Sequence, residues 1–305
     1  MPYVDKKITT ANGEKAYEIL LKNGYDMRTA QRLIDRARLH CNGVLVSEKN
    51  AVLKGVVSLI DYECRPRGLK PIYEFSDFAV FDKPSGVLSH PNGRHCEYSL
   101  NDEIWSLFGR EAAVAHRLDR ETSGLIVVAK NKISQVKLKQ IFQSRSVKKS
   151  YLAVVFGRVL LDEFCVDLAM DLADDYGDIK TRMKICENGK KAVTEFKVLE
   201  RFSNATLLRC YPITGRQHQI RLHLFHVGHK ILGEPLYGLN KEQITKILDD
   251  KLSQSERINL TGADRLLLHA DEISFEFDGQ KYEFKSKMDF KDEIKKVLKN
   301  QNFLF

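Results

Sequence analysis

The stretch AHRLDRETSG at residues 115–124 places one aspartate among arginines, directly before the apolar run GLIVVA. Arginines beside a carboxyl group lower its pKa and keep it ionised, so Asp119 is a candidate for a carboxylate that acts directly on a substrate. The arginine that lowers the pKa of Asp119 would be Arg117, Arg120 or an arginine from another part of the chain. An isolated Asp–Arg pair more often only fixes a loop, so the stretch by itself leaves both interpretations open.

Two other chemistries fit this stretch less well. A hydrolase triad of His116, Asp119 and Ser123 would need a serine on a glycine-flanked elbow, and the chain has no G-x-S-x-G. A kinase catalytic loop would need a glycine-rich loop and a D-F-G motif in usable order, which are also absent. We expect Thr122 and Ser123 to hold the loop by bonds to its backbone, and Gly124 to allow a tight entry into the next strand.

The elements that must position Asp119 are mostly strands. Short β-branched and aromatic runs, such as FAVFDK, YLAVVFGRV and ATLLRCYPI, dominate the chain after residue 75. They predict an α+β fold around a mixed, largely antiparallel β-sheet. The clearest helix in this part is KISQVKLKQIFQS, with an apolar face made by Ile133, Val136, Ile141 and Phe142. Residues 239–265 are polar and helix-like, which predicts a surface insertion.

The N-terminal part has a different texture. Residues 14–40 predict two short helices broken at Asn23-Gly24, with arginines that recur at near-helical spacing. The next segment, CNGVLVSEKNAVLKGVVSLIDY, predicts a small β-hairpin with a turn at Asn42-Gly43 and another break at Lys54-Gly55. CRPRGLKP at residues 64–71 is typical of a linker.

The charge of the chain is concentrated at its beginning. The net charge is +8, and residues 1–70 hold 13 Lys and Arg against 8 Asp and Glu. Such a basic region favours a polyanionic partner, although solubility alone accounts for the charge equally well. Arg28, Arg32, Arg36 and Arg38 recur along one side of the predicted helix, where they would either contact a nucleic-acid backbone or face solvent. The pattern RTAQRLIDRARLHCNGVLV resembles the S-four RNA-binding domain, which favours RNA contacts by Arg28, Arg32 and Arg36. We therefore predict a small α/β RNA-binding domain over residues 1–65, a linker over 66–74 and a catalytic domain over 75–305.

The second region resembles a known enzyme family along most of its length. HRLDRETSG followed by an apolar strand is similar to the signature of the RluA branch of pseudouridine synthases, which isomerise uridine within RNA. Further segments match in the family's order: FDKPSGVLSHP, KKSYLAVVFG, ITGRQHQIRLHLFHVGHKILGEPLYG and LLLHADEISF. One departure is Glu234, where the family usually has aspartate.

The resemblance implies a role for each matching residue. Asp119 would be the catalytic aspartate, Tyr151 the tyrosine that stacks on uracil, and Arg221 the arginine that pairs with the carboxylate. Arg117 would fill the gap that the flipped uridine leaves. In this reaction nothing is oxidised, hydrolysed or added, so no cofactor or metal is expected. The histidines of ITGRQHQIRLHLFHVGHK lack familiar metal-ligand spacing, which makes a metal site a weak alternative.

Partners and compartment follow from the same observations. An early apolar leader and long apolar runs are absent, and the six cysteines are scattered without a C-x-x-C pair, so we expect a cytoplasmic, membrane-free and monomeric protein. The implied substrate is large-subunit ribosomal RNA (23S), with tRNA second. A non-catalytic RNA-binding or ribosome-assembly protein of the same fold is an alternative. A nucleoside hydrolase would need a second carboxylate, and Glu121, the nearest in sequence, is expected to face solvent.

Overall fold

The computed structural model describes residues 3–91, 96–144, 146–174 and 182–300. The chain forms two compact units. The first comprises Met1–Arg67 and Pro91–Asp102, and the second comprises Gly68–His90 and Glu103–Phe305. Among the described residues, no helix has the length and apolar character that crossing a membrane requires.

The first unit is a four-stranded antiparallel sheet with two helices, in the strand order β1-β4-β2-β3. Its elements over Met1–Arg67 are β1 (Tyr3–Lys15), α1 (Ala16–Lys22), α2 (Met27–Asp35), β2 (Leu39–Cys41), β3 (Val44–Leu45) and β4 (Val52–Tyr62).

The two short helices and the hairpin of the first unit form where the sequence predicts them. Helix α1 ends at Asn23, and α2 begins after Asp26, whose side chain accepts a hydrogen bond from the Thr29 N–H at 2.9 Å. Strands β2 and β3 are joined by Asn42 and Gly43, which both have positive φ, the conformation of a two-residue hairpin turn. Strand β1 was not foreseen, because its polar sequence has no alternating pattern.

The predicted break at Lys54-Gly55 is wrong, because β4 continues through it. Gly55 pairs with Ala11 in β1 and has a φ of +116°. A Cβ at Gly55 would lie 2.3 Å from the side chain of Asn42, which hydrogen-bonds the backbone of Lys54 and Val56. The glycine therefore makes room for an asparagine of the neighbouring hairpin and does not end the strand.

The second unit is built around a ten-stranded sheet, with strand order β10-β13-β14-β9-β15-β8-β6-β5; β16 joins at β15 and β7 at β8. The strands of this sheet are β5 (Tyr73–Glu74), β6 (Phe78–Lys83), β7 (Ala113–Val114), β8 (Ser123–Ala129), β9 (Lys148–Phe156), β10 (Glu163–Asp167), β13 (Val193–Arg201), β14 (Ala205–Pro212), β15 (Leu268–Phe277) and β16 (Gln280–Lys285). Strands β11 (Met170–Leu172) and β12 (Met183–Ile185) form a separate two-stranded sheet. The helices are α3 (Leu100–Phe108), which begins in the first unit, α4 (Lys132–Gln143), α5 (Gln219–His226), α6 (Lys241–Leu248), α7 (Gln254–Thr261) and α8 (Phe290–Asn300).

The centre of this sheet sets the positions of the candidate site residues. Strand β15 pairs in parallel with β8 and antiparallel with β9, so Ala270 lies between Gly124 on one side and Tyr151 on the other. Gly124 has a φ of +107°, and a Cβ there would lie 2.3 Å from the Ala270 carbonyl oxygen. This close approach brings the loop before β8, which carries Asp119, against β15, and β9, which carries Tyr151, is the next strand beyond β15. The mixed, largely antiparallel sheet confirms the predicted fold class.

Helix α4 forms as predicted but presents a different face. Ile133 and Val136 are 71% and 58% exposed, while Leu138 is buried in a core with residues of β6, β8 and β15. Ile141 and Phe142 pack against this core, so two of the four predicted face residues were wrong. The spacing of apolar residues predicts that this short segment is a helix. It identifies the buried face only when the apolar residues form one clear stripe along the helix.

Candidate active site

The loop that carries Asp119 is held by the segment KPSGVLS at residues 83–89, which begins with the last residue of strand β6. The Lys83 side chain is fully buried, and its ammonium donates to the carbonyl oxygens of Pro84 (3.0 Å), Val87 (2.7 Å) and Arg120 (3.1 Å). Burial lowers the pKa of Lys83 to about 7, against the opposing pull of nearby carboxylates. Three carbonyl acceptors satisfy all three donors of this ammonium. Lys83 therefore fixes the backbone next to Asp119.

Two serines of the same segment bind other carbonyls of the loop. Ser85 Oγ donates to the Glu121 carbonyl oxygen at 2.6 Å, and Ser89 Oγ donates to the Leu118 carbonyl oxygen at 2.9 Å. Ser123 does not hold the loop by a bond to its backbone, because its Oγ contacts the His269 ring at 2.9 Å. The loop is thus fixed by a distant segment, and the serine after it belongs to the core.

Arg221 is the arginine that faces Asp119. It lies on α5, and its Nη1 donates to Asp119 Oδ2 at 3.0 Å. The other edge of the guanidinium binds Glu234 through both oxygens, with Nε to Oε2 at 2.8 Å and Nη2 to Oε1 at 2.7 Å. The side chains of Arg221 and Glu234 are 3% and 1% exposed, whereas that of Asp119 is 29% exposed. Glu234 therefore orients the guanidinium, and Asp119 stays open to a substrate.

The two carboxylates of this group are ionised. Burial raises the pKa of Asp119, but the attraction of His218 and Arg221 outweighs it, so this pKa lies below its usual range. Burial likewise raises the pKa of Glu234, but the charge and hydrogen bonds of Arg221 lower it by more, so this pKa also lies below its usual range. Glu234 also accepts the backbone N–H of Leu236 at 2.9 Å. One guanidinium thus stabilises a buried carboxylate and an accessible one.

His218 offers a second donor to Asp119. Its Nε2 lies 3.7 Å from Asp119 Oδ2, and its Nδ1 lies 3.1 Å from the hydroxyl of Tyr237. That hydroxyl accepts the Met183 N–H at 3.3 Å, so its own hydrogen is free for Nδ1, and we assign the neutral Nε2–H tautomer from this network. Burial and the charge of Arg221 lower the pKa of His218 to about 4. At neutral pH His218 therefore adds an N–H dipole beside Asp119, and Arg221 adds the full charge.

Tyr151 lies on β9, half-buried, and packs against the main core of the second unit. Burial and the charge of Asp119 raise the pKa of its phenol. The carboxylate is therefore near this ring, and the phenol stays protonated at neutral pH. An aromatic ring with a neutral hydroxyl, beside an ionised carboxylate, is suited to stacking with a base. The sugar or a ring carbon of that base then faces the carboxylate.

Comparison with known proteins identifies the family. Residues 77–226 match the RNA pseudouridylate synthase family. The chain is also 38% identical over 293 residues to an uncharacterized RNA pseudouridine synthase of Helicobacter pylori J99, covering 94% of this chain and 97% of the relative. This chain is an RNA pseudouridine synthase of the RluA family. The family resemblance drawn from the sequence and the predicted enzyme class, an isomerase acting on RNA, are both confirmed.

Other relatives of this pseudouridine synthase extend the comparison. The ribosomal large subunit pseudouridine synthase D of Pseudomonas aeruginosa is 32% identical over 237 residues, covering 73% of this chain and 72% of the relative. The solved structure of human RNA pseudouridylate synthase domain containing 1 is 26% identical, with a TM-score of 0.58, covering 73% of this chain and 86% of the human chain.

The remaining predicted RNA contacts of the synthase are exposed. Arg117 is exposed in the Asp119 loop, and burial, followed by the charge of Arg117, lowers the pKa of His90. Arg28 and Arg32 are exposed on α2 in the first unit, four residues apart, and Arg36, also exposed, follows the last residue of that helix. Within the described parts of the chain none of these four guanidinium groups has a carboxylate partner, so all four are free to bind phosphate.

Three of the histidines in the segment 213–238 have protein contacts, among them His229, whose Nδ1 lies 3.3 Å from the Phe156 carbonyl oxygen. His218 belongs to the Asp119 group, and His223 is fully buried, with Nδ1 3.0 Å from Thr194 Oγ1 and Nε2 3.2 Å from the Leu168 carbonyl oxygen. Among the residues that the structure describes, no three His, Cys, Asp or Glu side chains are grouped as metal ligands.

The expectation that Glu121 faces solvent is wrong. Its side chain is 10% exposed and binds Arg257 of helix α7, with Oε2 2.6 Å from Nη2. Arg120, one residue after Asp119, binds Asp250 of the same insertion at 3.1 Å. The segment 239–265 is therefore a support for the Asp119 loop as well as a surface insertion, and no local sequence signal reveals this pairing.

Replacing Arg257 by glutamine is expected to lower kcat about tenfold to a hundredfold, because a loop that shifts by about 1 Å loses its attack geometry. Single-turnover isomerisation measures the effect. Glu242→Gln, which breaks the exposed pair with Lys246 in the same insertion, is the matched control and should leave kcat unchanged. A double variant that also carries Glu121→Gln should be no slower than Arg257→Gln alone. Equal loss in Arg257→Gln and in the control would contradict a specific effect of this pair.

Proposed function

We propose that this pseudouridine synthase modifies specific uridines of large-subunit ribosomal RNA, that it works as a monomer in the cytoplasm, and that it needs no cofactor. Asp119, Tyr151 and Arg221 are the catalytic group, and Arg117 fills the space of the flipped nucleotide. The choice of ribosomal RNA is supported by the name of the Pseudomonas aeruginosa relative. The observation that carries the proposed site is the accessible, ionised Asp119 bound to an arginine that Glu234 orients.

In the proposed reaction the bond between uracil N1 and the sugar carbon C1′ breaks, and a new bond joins C1′ to C5 of the same base. The C5 hydrogen leaves as a proton, and N1 gains one. The ionised Asp119 attacks the sugar or the base, or removes a sugar proton, and each of these steps needs a charged carboxylate held beside the nucleotide. The uridine must leave its stack first, which costs least in loops and bulges.

The proposal includes RNA binding by residues 1–65, with the division from the catalytic region at 66–74. The support is the row of exposed guanidinium groups at Arg28 and Arg32 on α2 and at Arg36 directly after it, which have no carboxylate partner among the described residues. Each phosphate contact to a single strand contributes about 0.7 to the slope of log affinity against log salt concentration.

Replacing Arg28, Arg32 and Arg36 together by glutamine is therefore expected to lower the salt slope of RNA binding by about 2, while kcat stays unchanged. The measurement is the affinity for ribosomal RNA over a range of KCl concentrations. The matched control replaces Lys291, Lys295 and Lys299, which are also exposed at turn-by-turn spacing on α8. The same loss of slope in both triple variants would show that total charge matters and that α2 does not bind RNA specifically.

Mapping pseudouridine in the RNA of cells with and without this protein tests the substrate. Loss of one or a few sites in large-subunit RNA, restored by the wild type and not by Asp119→Asn, is the expected result. Loss confined to tRNA would keep the reaction and overturn the proposed substrate. If no site changes, purified protein on bare transcripts separates a redundant enzyme from a protein that only binds RNA.

A further inference from the structure

Lys149 lies on strand β9, two residues before Tyr151, so both side chains leave the same face of the strand. It pairs with Ile273 of β15, as Tyr151 pairs with Ala270. Two residues of a strand span about 6.6 Å, which puts the Lys149 side chain next to the ring that faces the Asp119 carboxylate. The side chain is half-buried.

The surroundings of the Lys149 ammonium are apolar on one side and open on the other. Nζ lies 5.7 Å from the centre of the Phe142 ring, which stacks on His116 with 4.5 Å between ring centres. On the other side is Gly215, where a Cβ would lie 3.7 Å from Nζ. Gly215 is itself exposed, so the missing side chain leaves the ammonium accessible.

Lys149 has no hydrogen-bond acceptor and no carboxylate partner in the part of the chain that the structure describes. Two other lysines of this unit are compensated, Lys83 by three carbonyl oxygens and Lys130 by Glu74 at 2.9 Å. Burial lowers the pKa of Lys149, and no acidic group opposes this shift. A half-buried cation without a counter-charge is unfavourable in the free protein, and an anionic ligand would compensate it.

We propose that Lys149 binds a backbone phosphate of the RNA strand, next to the uridine that enters between Tyr151 and Asp119. This inference rests on the proposed function, because it takes the Asp119 group as the place where the uridine reacts. A nucleotide stacked on Tyr151 carries phosphates on both sides of its sugar, and the long, flexible lysine side chain reaches one of them. A phosphate supplies the negative charge that this ammonium lacks, whereas a uracil carbonyl would leave the charge uncompensated.

The test compares Lys149→Gln with Lys148→Gln in the full chain. Lys148 is exposed and its side chain leaves the opposite face of β9, so it is a matched control for charge and position. The probe is a fluorescein-labelled oligouridylate, whose binding is followed by anisotropy over a range of KCl concentrations. Lys149→Gln is expected to lower the salt slope by about 0.7, which corresponds to about fivefold weaker binding at about 0.1 M salt. Lys149→Arg should keep the wild-type slope, because it keeps the charge.

A second pair of variants keeps the lysine in place. Gly215→Asp puts a carboxylate beside Nζ, where it competes with the phosphate, and should lower the slope at least as much as Lys149→Gln does. Gly215→Asn has the same shape without the charge and should lower it less. This pair tests the proposal even if Lys149→Gln does not fold. Equal slopes for the Asp and Asn variants would overturn it.

Isomerisation of ribosomal RNA distinguishes the two proposals. Lys149→Gln should raise KM about fivefold with kcat unchanged, as expected for a contact made equally in the ground state and the transition state. If the wild type isomerises its target while Lys149→Gln and Lys148→Gln agree in slope and KM, the phosphate site is wrong and the proposed function stands. If the wild type isomerises no RNA but Lys149→Gln still lowers the slope, the proposed function is wrong and the phosphate contact stands.

Discussion

Asp119→Asn is expected to lower the rate of isomerisation by at least about ten-thousandfold, because an amide neither attacks carbon nor accepts a proton at neutral pH. The amide oxygen still accepts the hydrogen bond from Arg221 Nη1, and Glu234 still compensates the guanidinium charge. The fold and the affinity for RNA should therefore stay close to those of the wild type. This variant should therefore lose nearly all activity while its unfolding free energy stays close to that of the wild type.

Single-turnover release of the C5 hydrogen, followed with tritiated RNA, measures this rate. Asp250→Asn is the matched control, because Asp250 is exposed and binds Arg120 of the same loop, yet has no place in the proposed chemistry. It should change the rate less than about tenfold. If Asp119→Asn folds normally but no longer binds RNA, the carboxylate is structural and its proposed catalytic role is wrong.

The sequence was informative where local rules decide the structure. The apolar spacing of residues 14–40 gave helices α1 and α2 with their break at Asn23, and Asn42-Gly43 gave a hairpin turn whose two residues both have positive φ. Turn chemistry and helix periodicity are properties of a few neighbouring residues, so a single sequence is enough to read them.

The sequence misled where a distant residue sets the local structure. Gly55 was predicted to break the strand, but its missing side chain leaves room for the side chain of Asn42, which lies in the preceding hairpin turn. Glu121 looks like a solvated residue, but its partner Arg257 lies 136 residues away. Neither pairing leaves a local signal, because it is set by the packing of the whole unit.

The candidate site shows the same division. Asp119 stands out by its arginine neighbours, yet the arginine that binds it is Arg221, and only the family resemblance pointed to that residue. Lys149 lies in KKSYLAVVFG, one of the segments that match the family, but the sequence assigned it no role. Its lack of a carboxylate partner becomes visible only when the surrounding residues are in place.

Glu234→Gln is expected to cost about 3–5 kcal/mol of unfolding free energy, because it leaves the buried Arg221 guanidinium without its main counter-charge. A glutamine amide also places N–H groups against the guanidinium donors that now bind the two carboxylate oxygens. The loosened Arg221 should no longer hold Asp119 in place, so kcat is expected to fall about a hundredfold. Urea unfolding and single-turnover rates measure the two effects.

The pH dependence of stability gives an independent test of the Glu234 pair. The pKa of Glu234 is lowered in the folded protein, so its contribution to stability is complete above the unfolded value near 4.5 and is lost as the pH falls through the folded pKa. The difference in unfolding free energy between wild type and Glu234→Gln should therefore be large at neutral pH and shrink in acid. A difference that stays constant through this range would mean that the charge of Glu234 does not stabilise the fold.

Glu234→Asp separates charge from reach. Aspartate is the usual family residue here, and it keeps the negative charge but is shorter by one methylene group, so it reaches Arg221 only if the backbone around residue 234 moves closer. We expect this variant to keep most of the stability that Glu234→Gln loses, because the guanidinium keeps a counter-charge. Its kcat should fall less than that of Glu234→Gln, in proportion to how far the Arg221 guanidinium is displaced from Asp119. If both variants lose activity equally while Glu234→Asp stays stable, the reach of the glutamate side chain, and not its charge, positions Arg221.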